Sequence, residues 1–241
     1  MAGMLPYGSV RSGRREQSGR DMAAQATQST MRLFVALEIS NAWKSHFSDL
    51  QADLERSAPG AIRWVRPDLL HLTVVFLDEQ AHSQLGAIQA ALTATAEATP
   101  AFRLDLGQPD LFGRNGHVMV IWVAVQDLSE SLSPLHARVL EALRAHEVAF
   151  EARPFTPHVT LGRTRAHGTP LPEPLMRKSF RALPRRRRPA GFPARELVLF
   201  RSQLVASGPL YTALSVHRFA PPRTAMGATE CANEGDEPAV R

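Results

Sequence analysis

Two short stretches, HLTV at 71–74 and HVTL at 158–161, place a histidine and a threonine two residues apart among apolar neighbours. Both sit in segments that read as strands, where successive side chains point to opposite faces. His71 therefore shares a face with Thr73, and His158 with Thr160. A polar pair inside an apolar strand needs partners or a solvated cleft, because unpaired buried polar groups are costly. One such pair is an ordinary wet strand face. Two copies ask for a common explanation.

Two imidazoles across one cleft can divide general acid and general base work. The ordinary histidine pKa of ~6.5 lets one ring be neutral while its opposite number is protonated. The neighbouring hydroxyls can donate hydrogen bonds to anionic oxygens between them. A phosphodiester suits this set, with phosphoryl oxygens against Thr73 and Thr160 and the attacking and leaving oxygens beside His71 and His158. The chemistry requires no metal and no cofactor. No acidic residue or cysteine stands at a recognisable metal-ligand spacing from either histidine.

The elements that must hold these motifs follow from periodicity. Strands are predicted at 32–39, about 70–77, 102–108, 117–125, about 158–163, 196–204 and 210–219. Ser40 or Asn41 caps a helix to about Ala58, with Trp43, Phe47, Leu50 and Leu54 on one stripe. A second helix spans about 82–98. A third, capped by Asp127, runs to about His146 and buries Leu128, Leu132, Leu135, Val139 and Leu143. The Pro/Arg-rich segment 165–190 reads as a loop. This order indicates an α+β or mixed α/β domain. In each half a helix precedes a strand bearing His-x-Thr, and the two motifs are 87 residues apart, which suggests two related lobes facing a shared cleft.

The 241-residue chain is 44% apolar and 21% charged, ordinary for a globular protein, and no apolar run is long enough to span a bilayer. Its single cysteine, Cys231, excludes an internal disulfide framework and fits a reducing, cytoplasmic setting. The net charge of +5 favours polyanionic partners without proving them. Residues 1–30, polar and without apolar periodicity, read as a disordered N-terminal extension and 222–241 as a flexible C-terminal tail, leaving one domain at 31–221.

The motifs and their surroundings, MRLFVAL at 31–37, RWVRPDLLHLTVVFL at 63–77, PFTPHVTLGR at 154–163 and LVLFRSQLVASGPLYTAL at 197–214, resemble the 2H phosphoesterase superfamily. Within it they are similar to the RNA 2',3'-cyclic phosphodiesterases, also called the 2'-5' RNA ligase family. The resemblance implies a two-lobed, pseudo-twofold α+β fold of antiparallel-rich sheets with outer helices and a central groove. It implies opening of RNA 2',3'-cyclic phosphates to 2'-phosphates, with His71 as proton donor, His158 as proton acceptor, and Thr73 and Thr160 on the phosphate. A monomer acting on RNA ends or small cyclic nucleotides, away from membranes, is expected.

Arg163 matches a family position that contacts phosphate. Strand parity opposes this, because Arg163 is an odd number of residues from His158, unless the strand ends or bulges near Gly162. Where the family commonly has glycine after the first motif strand, this chain has Asp78, which implies a changed turn. The arginine run at 185–188 reads as a proline-stiffened, solvated loop, with an RNA-backbone clamp as the alternative. Trp64, Trp122 and Phe112 read as core, Ser202 and Tyr211 have no derivable role, and the other seven histidines read as ordinary. Competing functions are 2'-5' ligation of RNA ends, hydrolysis of another cyclic phosphodiester, and a non-catalytic RNA-end-binding module.

Overall fold

The computed structural model describes residues 30–165, 170–206 and 208–222. Along these the chain forms β1 (Thr30–Glu38), α1 (Asn41–Glu55), β2 (Ile62–Trp64), β3 (His71–Ala81), α2 (Leu85–Glu97), β4 (Phe102–Arg114) and β5 (His117–Gln126). Then follow α3 (Leu132–Ala145), β6 (His158–Thr164), α4 (Glu173–Arg181), β7 (Phe192–Ala194), β8 (Glu196–Val205) and β9 (Gly208–Arg218). The strands lie in the order β7-β4-β5-β6-β3-β1-β8-β9, with β2 beside β6, and every strand pairing is antiparallel.

The two halves of this sheet meet at its middle, where β3 and β6 share a single register pair, Leu72↔Val159. On one side β3, β1, β8 and β9 form continuous ladders, and on the other β6, β5 and β4 do so. Helices α2 and α3 pack on each other and on the first half, while α1 and α4 back the second. The α+β fold and two-lobed arrangement thus match the expectation from sequence.

Helix α1 forms where Ser40 accepts a hydrogen bond from Trp43 N and closes the first turn. Its apolar stripe, Trp43, Phe47, Leu50 and Leu54, is buried as the spacing predicts, and burying each such side chain contributes roughly 1.5–3 kcal/mol. Helix α3 begins later than predicted. The Asp127 carboxylate accepts from Ser131 N, Leu132 N and Ser129 N, so it caps a turn that precedes the helix. Leu128 therefore lies in that turn and is 84% exposed rather than buried.

Part of the 165–190 segment is helical, contrary to the loop reading. Pro172 precedes α4 and Pro174 suits its first turn, while Glu173 in the first turn and Lys178 and Arg181 in the last are favourable to the helix dipole. The short edge strand β7 was not expected either; it is added to β4 through Phe102↔Ala194 to Leu104↔Phe192. Thr30, read as the end of an extension, opens β1. The remaining residues of 1–30, and those of 222–241 beyond Pro222, lie outside the described residues.

Candidate active site

The pair Leu72↔Val159 sets the site. Carried one residue to either side, this register puts His71 opposite Thr160 and Thr73 opposite His158. Side chains diagonal to each other across such a pair share one face, and the charge of His158 acts on His71, so the two imidazoles belong to one site. All four side chains are half-buried. The hydroxyls of Thr73 and Thr160 have no hydrogen-bond partner among the described residues, leaving them available to a ligand.

Both histidines are oriented by the same local device. His71 Nδ1 lies 2.7 Å from Leu69 O, and His158 Nδ1 lies 2.6 Å from Thr156 O, two residues upstream in each case. A carbonyl oxygen only accepts, so each Nδ1 carries the proton and Nε2 is the ring nitrogen left for chemistry.

Their surroundings differ. Phe34 lies 4.9 Å from the His71 ring, Tyr211 5.4 Å and Phe200 6.5 Å. This dense aromatic wall desolvates the imidazolium and pushes the His71 pKa down to about 4, and the charges of His158 and Lys44 act in the same direction. The Leu69 carbonyl opposes the shift without overcoming it. Burial also lowers the pKa of His158, with help from the Arg163 guanidinium and against the Thr156 carbonyl. His158 meets Phe112 edge-on at 5.3 Å and Trp122 at 5.5 Å, and those two rings stack on each other at 4.8 Å. Phe112, read from sequence as core, is 38% exposed beside the histidine, because its strand passes the cleft rim there. Trp122 is buried as expected, and its Nε1 has no hydrogen-bond partner among the described residues.

Arg163 escapes strict strand alternation at a β-bulge. Along β5 and β6 the register runs Ile121↔Gly162 and then Trp122↔Thr160, so Leu161 is the extra residue. Leu161 and Gly162 are both buried, and Arg163 emerges exposed on the His158–Thr160 face. Its charge depresses the pKa of His158 in one half and opposes the rise of Tyr211 in the other. Three features hold the bulge: the Leu161 carbonyl accepts from Val65 N at 2.8 Å and from the buried Gln51 amide at 2.9 Å. The third is Gly162 itself, where a Cβ would stand 2.6 Å from Ile62 Cγ2 and 2.7 Å from Trp64 Cε3.

The first half repeats the device. Between β1 and β3 the register skips Val74, which is 87 residues before Leu161. The counterpart of Arg163 is accordingly Phe76, an exposed ring 6.3 Å from Phe34. One shoulder of a pseudo-twofold cleft is thus cationic and the other aromatic. Tyr211 and Phe76 are the residues that motif reading missed; only the equal offset of the two motifs signals Phe76.

Two further expectations are corrected. Asp78 does not begin a turn: β3 continues through it with Asp78 in the left-handed region at φ 55°, a conformation Asp tolerates better than most residues. The run at 185–188 is not simply solvated. Arg186 grips both carboxylate oxygens of the buried Asp53 at 2.9 and 3.0 Å and fastens the loop to α1, holding that carboxylate below its usual pKa range. Trp64 Nε1 donates to Glu55, a structural contact. Among the described residues no three histidine, cysteine or carboxylate groups gather to hold a metal ion, and no helix is long and apolar enough to cross a membrane.

The fold therefore defines a two-lobed α+β domain whose halves meet where the two His-x-Thr strands pair. The model of the 2'-5' RNA ligase superfamily matches residues 40–205, and the chain belongs to that family. An RNA 2',3'-cyclic phosphodiesterase of Methanothermobacter thermautotrophicus is 25% identical over 191 residues, covering 78% of this chain and 98% of its own length. Another, from Escherichia coli K12, is 30% identical over 144 residues, covering 59% of this chain and 77% of its own. The crystal structure of TT0787 of Thermus thermophilus superposes with a TM-score of 0.64 at 24% identity, over 80% of this chain and all of that one, a likeness of fold.

Proposed function

We propose that the protein is a phosphodiesterase that hydrolyses RNA 2',3'-cyclic phosphate ends to 2'-phosphates without a metal ion. The observation that carries this reading is the matched pair of Nδ1-anchored histidines, each beside an unengaged threonine, around the Leu72↔Val159 pair. The names of the relatives supply the substrate class. Thr73, Thr160 and Arg163 hold the phosphoryl oxygens, one histidine takes a proton from water, and the other protonates the departing 3'-oxygen.

The family resemblance makes His71 the donor and His158 the acceptor. Burial lowers the pKa of both rings, so both are mainly neutral at pH 7 in the free protein, and whichever acts as donor takes up its proton as the anionic phosphate binds beside it. A substrate whose leaving group needs no proton, such as a nitrophenyl phosphodiester, separates the two. Loss of the donor is tolerated with it and loss of the acceptor is not.

The central test is incubation with 2',3'-cyclic AMP or cyclic-ended RNA in excess chelator, with identification of the product isomer. Turnover to the 2'-phosphate is expected, and His71→Ala and His158→Ala should each reduce it by about 10²–10⁴-fold. Loss of activity on chelation, or survival of full activity in either variant, would sink the mechanism. Intact binding without turnover would favour an RNA-end-binding module instead.

A further inference from the structure

Arg163 has an unusual neighbour. The short strand β2 takes up the edge of β6 where β3 leaves it, and its middle residue, Arg63, is the direct register partner of Arg163. Directly opposed residues on antiparallel strands project from the same face, with the strands only about 4.8 Å apart. Both side chains are exposed, while Ile62 is buried on the other side of β2. Arg63 therefore stands on the cleft face, one strand beyond Arg163 as seen from His158.

Like charges directly opposed across strands are destabilising, and the other arginines of this sheet avoid such pairing. Arg32 faces Glu79 and Ser202, Arg103 faces Pro193, Arg201 faces Thr212, and Arg218 faces Glu196. Neither Arg63 nor Arg163 has a carboxylate partner among the described residues, although Arg32, Arg66, Arg103 and Arg177 all do. An opposed, unneutralised guanidinium pair at the rim of a phosphate site is the arrangement that an incoming polyanion would complete. Two planar forks offer bidentate contacts to phosphate oxygens, which a single cation would not.

We propose that Arg63 forms a second phosphate subsite, which takes the 5'-phosphate of the terminal nucleotide while Arg163 faces the reacting phosphate. This rests on the phosphodiesterase reading and sharpens it. A nucleotide that continues into an RNA strand carries that 5'-phosphate, and a 2',3'-cyclic mononucleotide does not, so Arg63 selects strand ends over free cyclic nucleotides. The arginine acts through charge and geometry alone and takes no part in proton transfer.

Two product-like probes that differ only in that group isolate the effect: adenosine 2'-monophosphate and adenosine 2',5'-bisphosphate. Titration calorimetry on the full chain should show the bisphosphate binding about tenfold more tightly, the worth of a charge-assisted contact. In Arg63→Ala the ratio should fall close to one, and in Arg63→Lys, which keeps the charge but loses the fork, it should fall between. A wild-type ratio near one, or a ratio unchanged in Arg63→Ala, would overturn the subsite. Equal weakening of both probes in Arg63→Ala would also overturn it, because both arginines would then hold one phosphate. Turnover of 2',3'-cyclic AMP by the same preparations reports separately on the parent reading, since that substrate lacks the 5'-phosphate.

Discussion

Replacing His71 by asparagine tests whether its aromatic wall governs its protonation. Asparagine keeps a donor where Nδ1 meets the Leu69 carbonyl but cannot titrate. In the unfolded chain the imidazole has its ordinary pKa near 6.5, and in the fold it lies at about 4. The folded state therefore binds fewer protons than the unfolded state between these values. Stability is complete above about pH 6.5 and is lost as the pH falls from there toward 4. At pH 4 the wild-type protein should have lost up to about 3 kcal/mol through this residue alone, from 1.36 kcal/mol per pH unit and half-protonation of the folded ring. Urea unfolding of both proteins at pH 7 and pH 4 measures this, His158 being the one neighbour whose titration is coupled to His71. His71→Asn should lose less stability than wild type by that amount. A difference below about 0.5 kcal/mol, or a His71 imidazole titrating by NMR near its ordinary value, would refute the desolvation argument. Inorganic phosphate bound beside the ring should raise its pKa by roughly 1–3 units, since an adjacent anion favours the charged form.

Other consequences are more local. Arg163→Ala should raise the pKa of His158 by removing a neighbouring positive charge, and should lower kcat/KM on cyclic-ended substrate by about 10–100-fold, the worth of one charge-assisted contact. Gly162→Ala should force the bulge to shift away from Ile62 and Trp64, costing about 1–3 kcal/mol in denaturant unfolding and lowering kcat/KM through displaced Arg163. A variant that melts like wild type would show the strand crossing to be less tight than it is here. Gln51→Leu leaves the Val65 carbonyl without its side-chain donor and should cost about 1–3 kcal/mol, readable as a lower melting temperature.

The sequence made the two motif strands legible because period-2 alternation and an equal offset are both countable along one chain. The α1 stripe was legible for the same reason, at helical spacing. Arg163 was not, because counting faces along a strand assumes unbroken pleating, and a bulge is a relation between two strands. Gly162 was its only local trace, and its meaning depends on Ile62 and Trp64 lying across it. Leu128 and α4 failed differently: the Asp127 carboxylate served a turn before the helix, and proline and arginine hid a short amphipathic stretch around Met176. The contrast between the His71 and His158 surroundings arises from β8, β9 and β4, strands far away in sequence from either motif.

The single register pair between β3 and β6 also has a mechanical consequence. Each half of the sheet is stiffened by its own ladders, so flexing of the molecule concentrates where the halves share least, at Leu72 and Val159. His71, Thr73, His158 and Thr160 are the immediate neighbours of that pivot. A rotation that swings β7 and β9 appreciably at the rims has almost no lever arm at these four side chains. A rotation of one half against the other about that pivot would leave the distance between the two imidazoles nearly unchanged.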